Sequence, residues 1–357
     1  MTPTLRDALL QGGATLDGTT GRALHFGEPA RELAAARTAC VVVDRSDLFR
    51  LAGTGPDLLD LLQRLGTGDL QGLERGHGRP TVLTSPKGRI VHRLLVHHLG
   101  EAGLLLVGGP GAPDRVLEHL RRYTFAERTE LVDRSAETCH FAVFGPRASE
   151  ALDATELGRP GRWSSVHASH DGHGLHVLGE DGLTGDGFAI VSEIGAGPSL
   201  WRALVIGVAH AGGCAAGDLA LESWRVLCGV PAAGHELTED ANPLEAGLGE
   251  AVSFSKGCYV GQEVVARLNT YDKVSRGIVG LRLPPFTLLP APGTPLYFEG
   301  HAVGRLTSAV TPPGWSAPVA LAIVKRRVIE PGAELIVGSR AGSVVARVVP
   351  LPIDDRS

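Results

Sequence analysis

The sequence predicts an α+β protein, with a long mixed region over roughly residues 1–276 followed by a small β-barrel over residues 277–357. Three observations carry this. Strands and helices follow one another irregularly through the first region instead of repeating as βαβ units. Pro284, Pro285, Pro290, Pro292 and Pro295 crowd into the clearest boundary of the chain. Beyond it only short apolar runs remain, separated by turns at the close spacing of a small barrel.

In chain order, residues 28–37 read as a short alanine-filled helix started by Pro29, followed by strands at 40–44 and 48–52. Gly53-Thr54-Gly55 then precedes Pro56-Asp57, and Leu58, Leu59, Leu61, Leu62 and Leu65 form an apolar helical face. The third glycine of a dinucleotide fingerprint would fall on Leu58, so the glycine pair reads as a strand-to-helix turn. Residues 81–107 read as three strands, with a tight turn at Ser85-Pro86-Lys87-Gly88 and a second at 100–103, before a helix over 113–123. Next come a strand at 139–144, a helix after Pro146, strands around Val166, 175–178 and 188–192, and a helix opened by Pro198. A helix over 218–228 is stopped by Gly229. A strand over 274–283 leads to the barrel runs 296–298, 302–308, 318–324, 334–337 and 343–349.

With 357 residues, 43% of them apolar and 20% charged, the chain has the composition of a soluble globular protein of two or three domains. A net charge of -5 without any basic block gives no footprint for direct nucleic-acid binding. No apolar stretch of signal-peptide length follows Met1-Thr2-Pro3-Thr4-Leu5-Arg6-Asp7 and no window approaches a membrane span, which predicts a cytoplasmic protein without a membrane partner. Cys40, Cys139, Cys214, Cys228 and Cys258 are odd in number and scattered, with no CxxC pair. Neither a disulfide framework nor a cysteine-ligated zinc or iron-sulfur site is written in them. His167, His170, His173 and His176 recur every three residues around Asp171, but that spacing scatters side chains between the two faces of a strand. The tract reads as a solvated hairpin, with no metal site expected.

The densest chemistry lies in Lys256-Gly257-Cys258-Tyr259-Val260-Gly261-Gln262-Glu263, where an amine, a thiol, a phenol, an amide and a carboxylate share eight positions with two glycines. Residues 262–268 carry good helix formers, which places Glu263 and Arg267 on one helix face as an ordinary surface ion pair. Cys258 lies near Lys256 and a helix start, both of which favour thiolate; the plainer reading is a half-buried thiol that holds a turn.

Together with Pro243-Leu244-Glu245-Ala246-Gly247-Leu248 upstream and Val264-Val265-Ala266-Arg267 downstream, this run resembles the signature of the YgfZ family. These are folate-binding proteins of iron-sulfur cluster assembly or repair, related to the T-protein (aminomethyltransferase) of glycine cleavage. Gly185-Asp186-Gly187-Phe188, Gly234-His235-Glu236-Leu237, Gly304-Arg305-Leu306-Thr307-Ser308 and Ala320-Leu321-Ala322 resemble other parts of that superfamily. The resemblance implies a three-domain ring of two interleaved α+β lobes, 1–48 with 138–217 and 49–137 with 218–276, closed by the C-terminal barrel around a folate-sized cleft. It implies tetrahydrofolate or another folate as ligand, and iron-sulfur proteins or assembly factors as clients, with an indirect effect on tRNA-modifying iron-sulfur enzymes.

On side-chain chemistry, Lys256 and Arg267 would attract the folate carboxylates and Tyr259 would lie against the ring. Gln262 would offer paired amide bonds, and Cys258 would be the reactive group. Gly257, Gly261, Glu263, Glu245 and Arg225 complete the expected folate-binding set. T-proteins bind the pteridine through a glutamate at a helix end; the ungapped place here is Leu227, which passes the acceptor role to Glu245 or Gln262 or moves the ligand. The family's catalytic aspartate corresponds to His92-Arg93, and no Asp or Glu occurs between Ser85 and Gly100, which argues against aminomethyl transfer. That transfer, or another one-carbon transfer to tetrahydrofolate, is the alternative activity.

Overall fold

The computed structural model describes residues 4–111, 113–181, 183, 185–270, 274–338 and 343–354; the opening Met1-Thr2-Pro3 of the cytoplasmic reading lies outside them. The chain divides into two compact units, each built from separated segments. The first comprises Met1–Leu58, Gly72–Arg79 and Leu95–Trp224, the second Leu59–Gln71, Pro80–Leu94 and Arg225–Ser357.

In the first unit a six-stranded sheet runs in the order Ser165–His170, His173–Asp181, Asp186–Glu193, Thr138–Phe144, Val41–Asp44, Cys214–Ala215. Its strands pair antiparallel except the last, where Cys214 lies parallel to Val41. One face packs on helices. Gly197–His210, opened by Pro198, buries Leu200, Trp201, Leu204 and Val208 among Phe141, Val143, Val177 and Ile190. The indole of Trp201 lies 5.6 Å from the ring of Phe26 and 5.5 Å from that of Phe141. On the other side Val191, Ala189 and Leu178 cluster with Leu95, Leu105 and Val107. Residues 49–58 and 95–137 group with this sheet in the first unit, where Leu95, Leu105 and Val107 pack in that cluster.

The turn after the strand Leu48–Thr54 shows why glycines stand there. A Cβ on Gly53 would sit 2.5 Å from Leu58 Cδ2, and Gly55 has φ 109° with its missing Cβ 2.1 Å from the Arg128 carbonyl oxygen. Only glycine permits both approaches. Leu58, Leu61, Leu62 and Leu65 of the following helix, Leu58–Leu65, are all buried, as their spacing predicts.

In the second unit Arg276–Arg282, Val319–Lys325, His301–Val310, Pro295–Phe298, Glu334–Val337 and Val344–Val349 close in that order into a six-stranded antiparallel barrel. The strand Val319–Lys325 is apolar without alternation because both of its faces are covered. Ala320, Ala322 and Val324 fill the barrel, while Ile323 joins Ile278, Val82, Ile90, Ala241, Ala246 and Leu248 in a second cluster outside it. This is why residues 225–276 belong with the barrel in one unit. The turn Ser85-Pro86-Lys87-Gly88 forms as expected, with the Gly88 amide donating to the Ser85 carbonyl at 2.8 Å.

Candidate functional site

The run 256–263 lies wholly in the second unit, and the geometry around it starts from a helix end. A helix leaves its last four carbonyls without partners, and its C-terminus carries partial negative charge. At the end of Leu58–Leu65 the loop 253–260 meets the carbonyls of Gln63 and Arg64, and beyond it those of Gly66, Thr67 and Gly68. The Lys256 ammonium donates to the carbonyl oxygens of Gln63 at 2.6 Å, Gly66 at 2.7 Å and Gly68 at 2.7 Å. The Val260 amide donates to Arg64 O at 3.2 Å, and the Ser253 amide to Thr67 O at 2.8 Å. Thr84 Oγ1 donates to the Val260 carbonyl, and Thr67 Oγ1 to that of Ala251 at 2.6 Å.

Gly261 closes the loop with φ 83°. A Cβ there would lie 2.5 Å from Ser85 O and 3.0 Å from Gly88 Cα, so its glycine is required by both conformation and space. The helix Gln262–Thr270 begins at the next residue, where Gln262 Oε1 accepts the Tyr259 amide at 3.3 Å. Tyr259 is buried, which pushes its phenol up to about 12, and the Lys256 ammonium lies 5.4 Å from its ring centroid. Burial pushes Lys256 down to about 8, with Asp69 pulling the other way. Cys258 and Gly257 are exposed between these anchors, and a Cβ on Gly257 would meet nothing within 4 Å. The thiol therefore does not hold the turn from a half-buried position; the turn is held around it.

Several expected ligand contacts take other partners here. All three donors of Lys256 go to backbone carbonyls, which leaves none for a folate carboxylate. Arg225 is buried, donating to Val230 O at 2.6 Å, Glu236 Oε2 at 3.1 Å and Ser308 Oγ at 2.7 Å. Glu245 is also buried and committed. It forms a capping box with Asn242, whose Oδ1 accepts the Glu245 amide at 3.0 Å while Glu245 Oε2 accepts the Asn242 amide at 3.2 Å. The same carboxylate meets Arg276 at 2.9 and 2.7 Å and Arg89 at 3.4 Å. Leu227 is fully buried. The acceptor for a pteridine ring is thus absent from Leu227, and at Glu245 the lone pairs are already filled. Glu263 and Arg267 form the predicted exposed pair at 3.4 Å.

Sequence reasoning did not single out Arg276 or Arg89, nor the three carbonyls under Lys256. Their partners are 31, 156 and about 190 residues away in the chain, and backbone carbonyls carry no sequence signal. His92 and Arg93 lie within the strand Ile90–His98, and His92 is buried.

The histidine tract forms a hairpin in the first unit, turning at Asp171-Gly172 with φ 48° and 80°. His167 faces His176 across the strands with ring centroids 5.2 Å apart, and His170 faces His173. An odd offset of three puts the two pairs on opposite faces. No group of three or more metal-ligating side chains is assembled among the described residues. No described helix is long and apolar enough to cross a membrane.

The N-terminal domain profile of the glycine cleavage T-protein matches residues 18–256, and the T-protein C-terminal barrel profile matches residues 276–355. A chloroplastic protein of Arabidopsis thaliana with a provisional transferase name is 32% identical over 86% of this chain and 70% of its own. The aminomethyltransferase of Moorella thermoacetica is 33% identical over 88% of this chain and 87% of its own. The crystal structure of glycine cleavage system aminomethyltransferase T from Bartonella henselae superposes with a TM-score of 0.82 over 99% of this chain and 98% of that one; at 23% identity it establishes the fold.

Proposed function

The chain belongs to the glycine cleavage T-protein family, and from that premise we propose that it is a folate-binding accessory protein for iron-sulfur cluster assembly or repair. Its ligand on this reading is tetrahydrofolate or a related folate, its clients are iron-sulfur proteins or their assembly factors, and tRNA-modifying enzymes are affected indirectly. One observation carries the proposal: the loop 253–262 is anchored at Lys256, Val260 and Gly261, and what it leaves at the surface is the Cys258 thiol. An anchored, accessible thiol suits redox or exchange chemistry with a client protein.

Folate binding is supported by the family and by the exposed chemistry of the second unit, not by the full set of residues first expected to hold it. Arg267 is exposed and Gln262 half-buried; Lys256, Glu245 and Arg225 serve the protein's own structure.

Aminomethyl transfer to tetrahydrofolate is the second reading, favoured by the full-length similarity to relatives named aminomethyltransferase. It requires a group that steers protons near the reacting nitrogen, and the strand Ile90–His98 offers His92 and Arg93 where the family places an aspartate. Calorimetry with tetrahydrofolate, beside a turnover assay with an aminomethylated lipoyl carrier, separates the two. Binding without turnover is the expected result, and turnover at enzymatic rates would replace the accessory role. A flat titration would remove the folate from both. The client role is checked by whether the native protein, but not Cys258→Ser, restores activity to an oxidised iron-sulfur enzyme.

A further inference from the structure

The least expected feature of the run 256–263 is the destination of its amine. The Lys256 side chain reaches about 190 residues back in the chain, and its three donors end on Gln63, Gly66 and Gly68 at 2.6, 2.7 and 2.7 Å. Helix C-termini are commonly closed by a local glycine in the left-handed conformation, or by a cation of the last turn. Here the only basic residue of the last turn, Arg64, pairs with Asp60 at 2.9 Å and is exposed. The cap is supplied from elsewhere.

We propose that Lys256 is the positioning residue of this site: a cap donated from a distant part of the chain to the end of the helix Leu58–Leu65 at Gln63 and to the turn beyond it at Gly66 and Gly68, through which that segment fixes the loop that presents Cys258. The proposal rests on the reading that this loop is the working part of the protein. Three observations support it. The amide bonds from Val260 to Arg64 and from Ser253 to Thr67 join the same two segments on either side of Lys256, so the loop is tied at both ends and in the middle. Gln63 Oε1 and Nε2 bind the Leu70 amide at 2.6 Å and Asp69 Oδ1 at 3.0 Å, which holds the accepting turn itself in shape. Tyr259 closes over the ammonium at 5.4 Å. The charged group that acts on the amine is Asp69 on the accepting turn, with the Tyr259 ring on its own loop. Three converging carbonyls match the three donors of an ammonium, and no uncharged side chain supplies three.

The test uses the full-length protein with Lys256→Met, which keeps the length and removes the donors, and Lys256→Arg, which keeps charge and donors. Arg122→Met, in the exposed Arg122–Glu118 pair of the first unit, is the control. Hydrogen exchange at the Val260 and Ser253 amides and alkylation of Cys258 by iodoacetamide, followed by peptide mass spectrometry, are the readouts. Exchange at both amides is expected to rise about tenfold or more in Lys256→Met, the loss that follows removal of one hydrogen bond to an ion. It should return most of the way in Lys256→Arg, and the Cys258 alkylation rate should follow the same order. Restoration of slow exchange in Lys256→Ala by added propylammonium would show that the ammonium itself is the cap. If Lys256→Met does not fold, the Arg variant and the propylammonium rescue decide the matter alone. Native exchange and alkylation in Lys256→Met, or exchange in Lys256→Ala that propylammonium leaves fast, would overturn the proposal. A flat tetrahydrofolate titration of the unmodified protein would sink the folate reading while leaving these measurements intact.

Discussion

The thiol loop of the second unit and the histidine hairpin of the first are the two stretches where the sequence concentrates reactive side chains, and folding treats them in opposite ways. In the loop, backbone and amine are committed to the end of one helix and to the turn at Ser85, and a single nucleophile is left outside. In the hairpin, the strand period separates four imidazoles into two cross-strand pairs on opposite faces, and His173 pairs with Glu193 at 3.2 Å. Chemical density in a sequence becomes a site only when backbone geometry gathers it, and a glycine with positive φ does that where a regular strand does not.

The comparison breaks most sharply at Gly261. Gly261→Ala combines a left-handed backbone with a Cβ 2.5 Å from a carbonyl oxygen, and should cost about 3 kcal/mol or more in urea denaturation. A similar substitution at Gly174, where φ is ordinary and the nearest atom is His167 Nε2 at 3.3 Å, should cost far less.

A second test uses acid. Burial pushes His140, fully enclosed in the first unit with Ser46 Oγ on its amide, down to about 4 from an ordinary 6.5. Between those values the unfolded chain binds the proton and the folded chain does not, so stability falls as pH drops from 6.5 to 4. The loss is up to about 3 kcal/mol. Denaturation midpoints measured across that range should lose their slope in His140→Leu.

Glu245→Gln ranks next. The amide keeps part of the capping box but leaves Arg276 and Arg89 facing a neutral partner, for a loss of about 2 kcal/mol by thermal unfolding at matched pH. The smallest effect belongs to the exposed Glu263–Arg267 pair, where Glu263→Ala should change stability by less than about 0.5 kcal/mol and vanish into error at high salt. A larger, salt-insensitive loss there would show that the start of the helix Gln262–Thr270 does more than pair two surface charges.

Much of this protein was legible in its sequence because short-range physics writes it there. Pro29 and Pro198 open helices, Gly229 with φ 74° ends one, and leucines at 58, 61, 62 and 65 are the buried face their spacing predicts. The barrel's strand runs fall within a residue or two of their predicted places, and the dense run 256–263 forms one loop and one helix start. What the sequence left open was every decision made by partners far apart in the chain. Lys256 and Glu245 carry charges that would suit a ligand, and only the folded chain shows that backbone carbonyls and two arginines take them instead. The division into units was equally hidden, since it depends on which apolar face of each strand meets which cluster. Local propensity acts over a few residues, whereas hydrogen-bond satisfaction and burial are settled wherever the backbone happens to bring groups together.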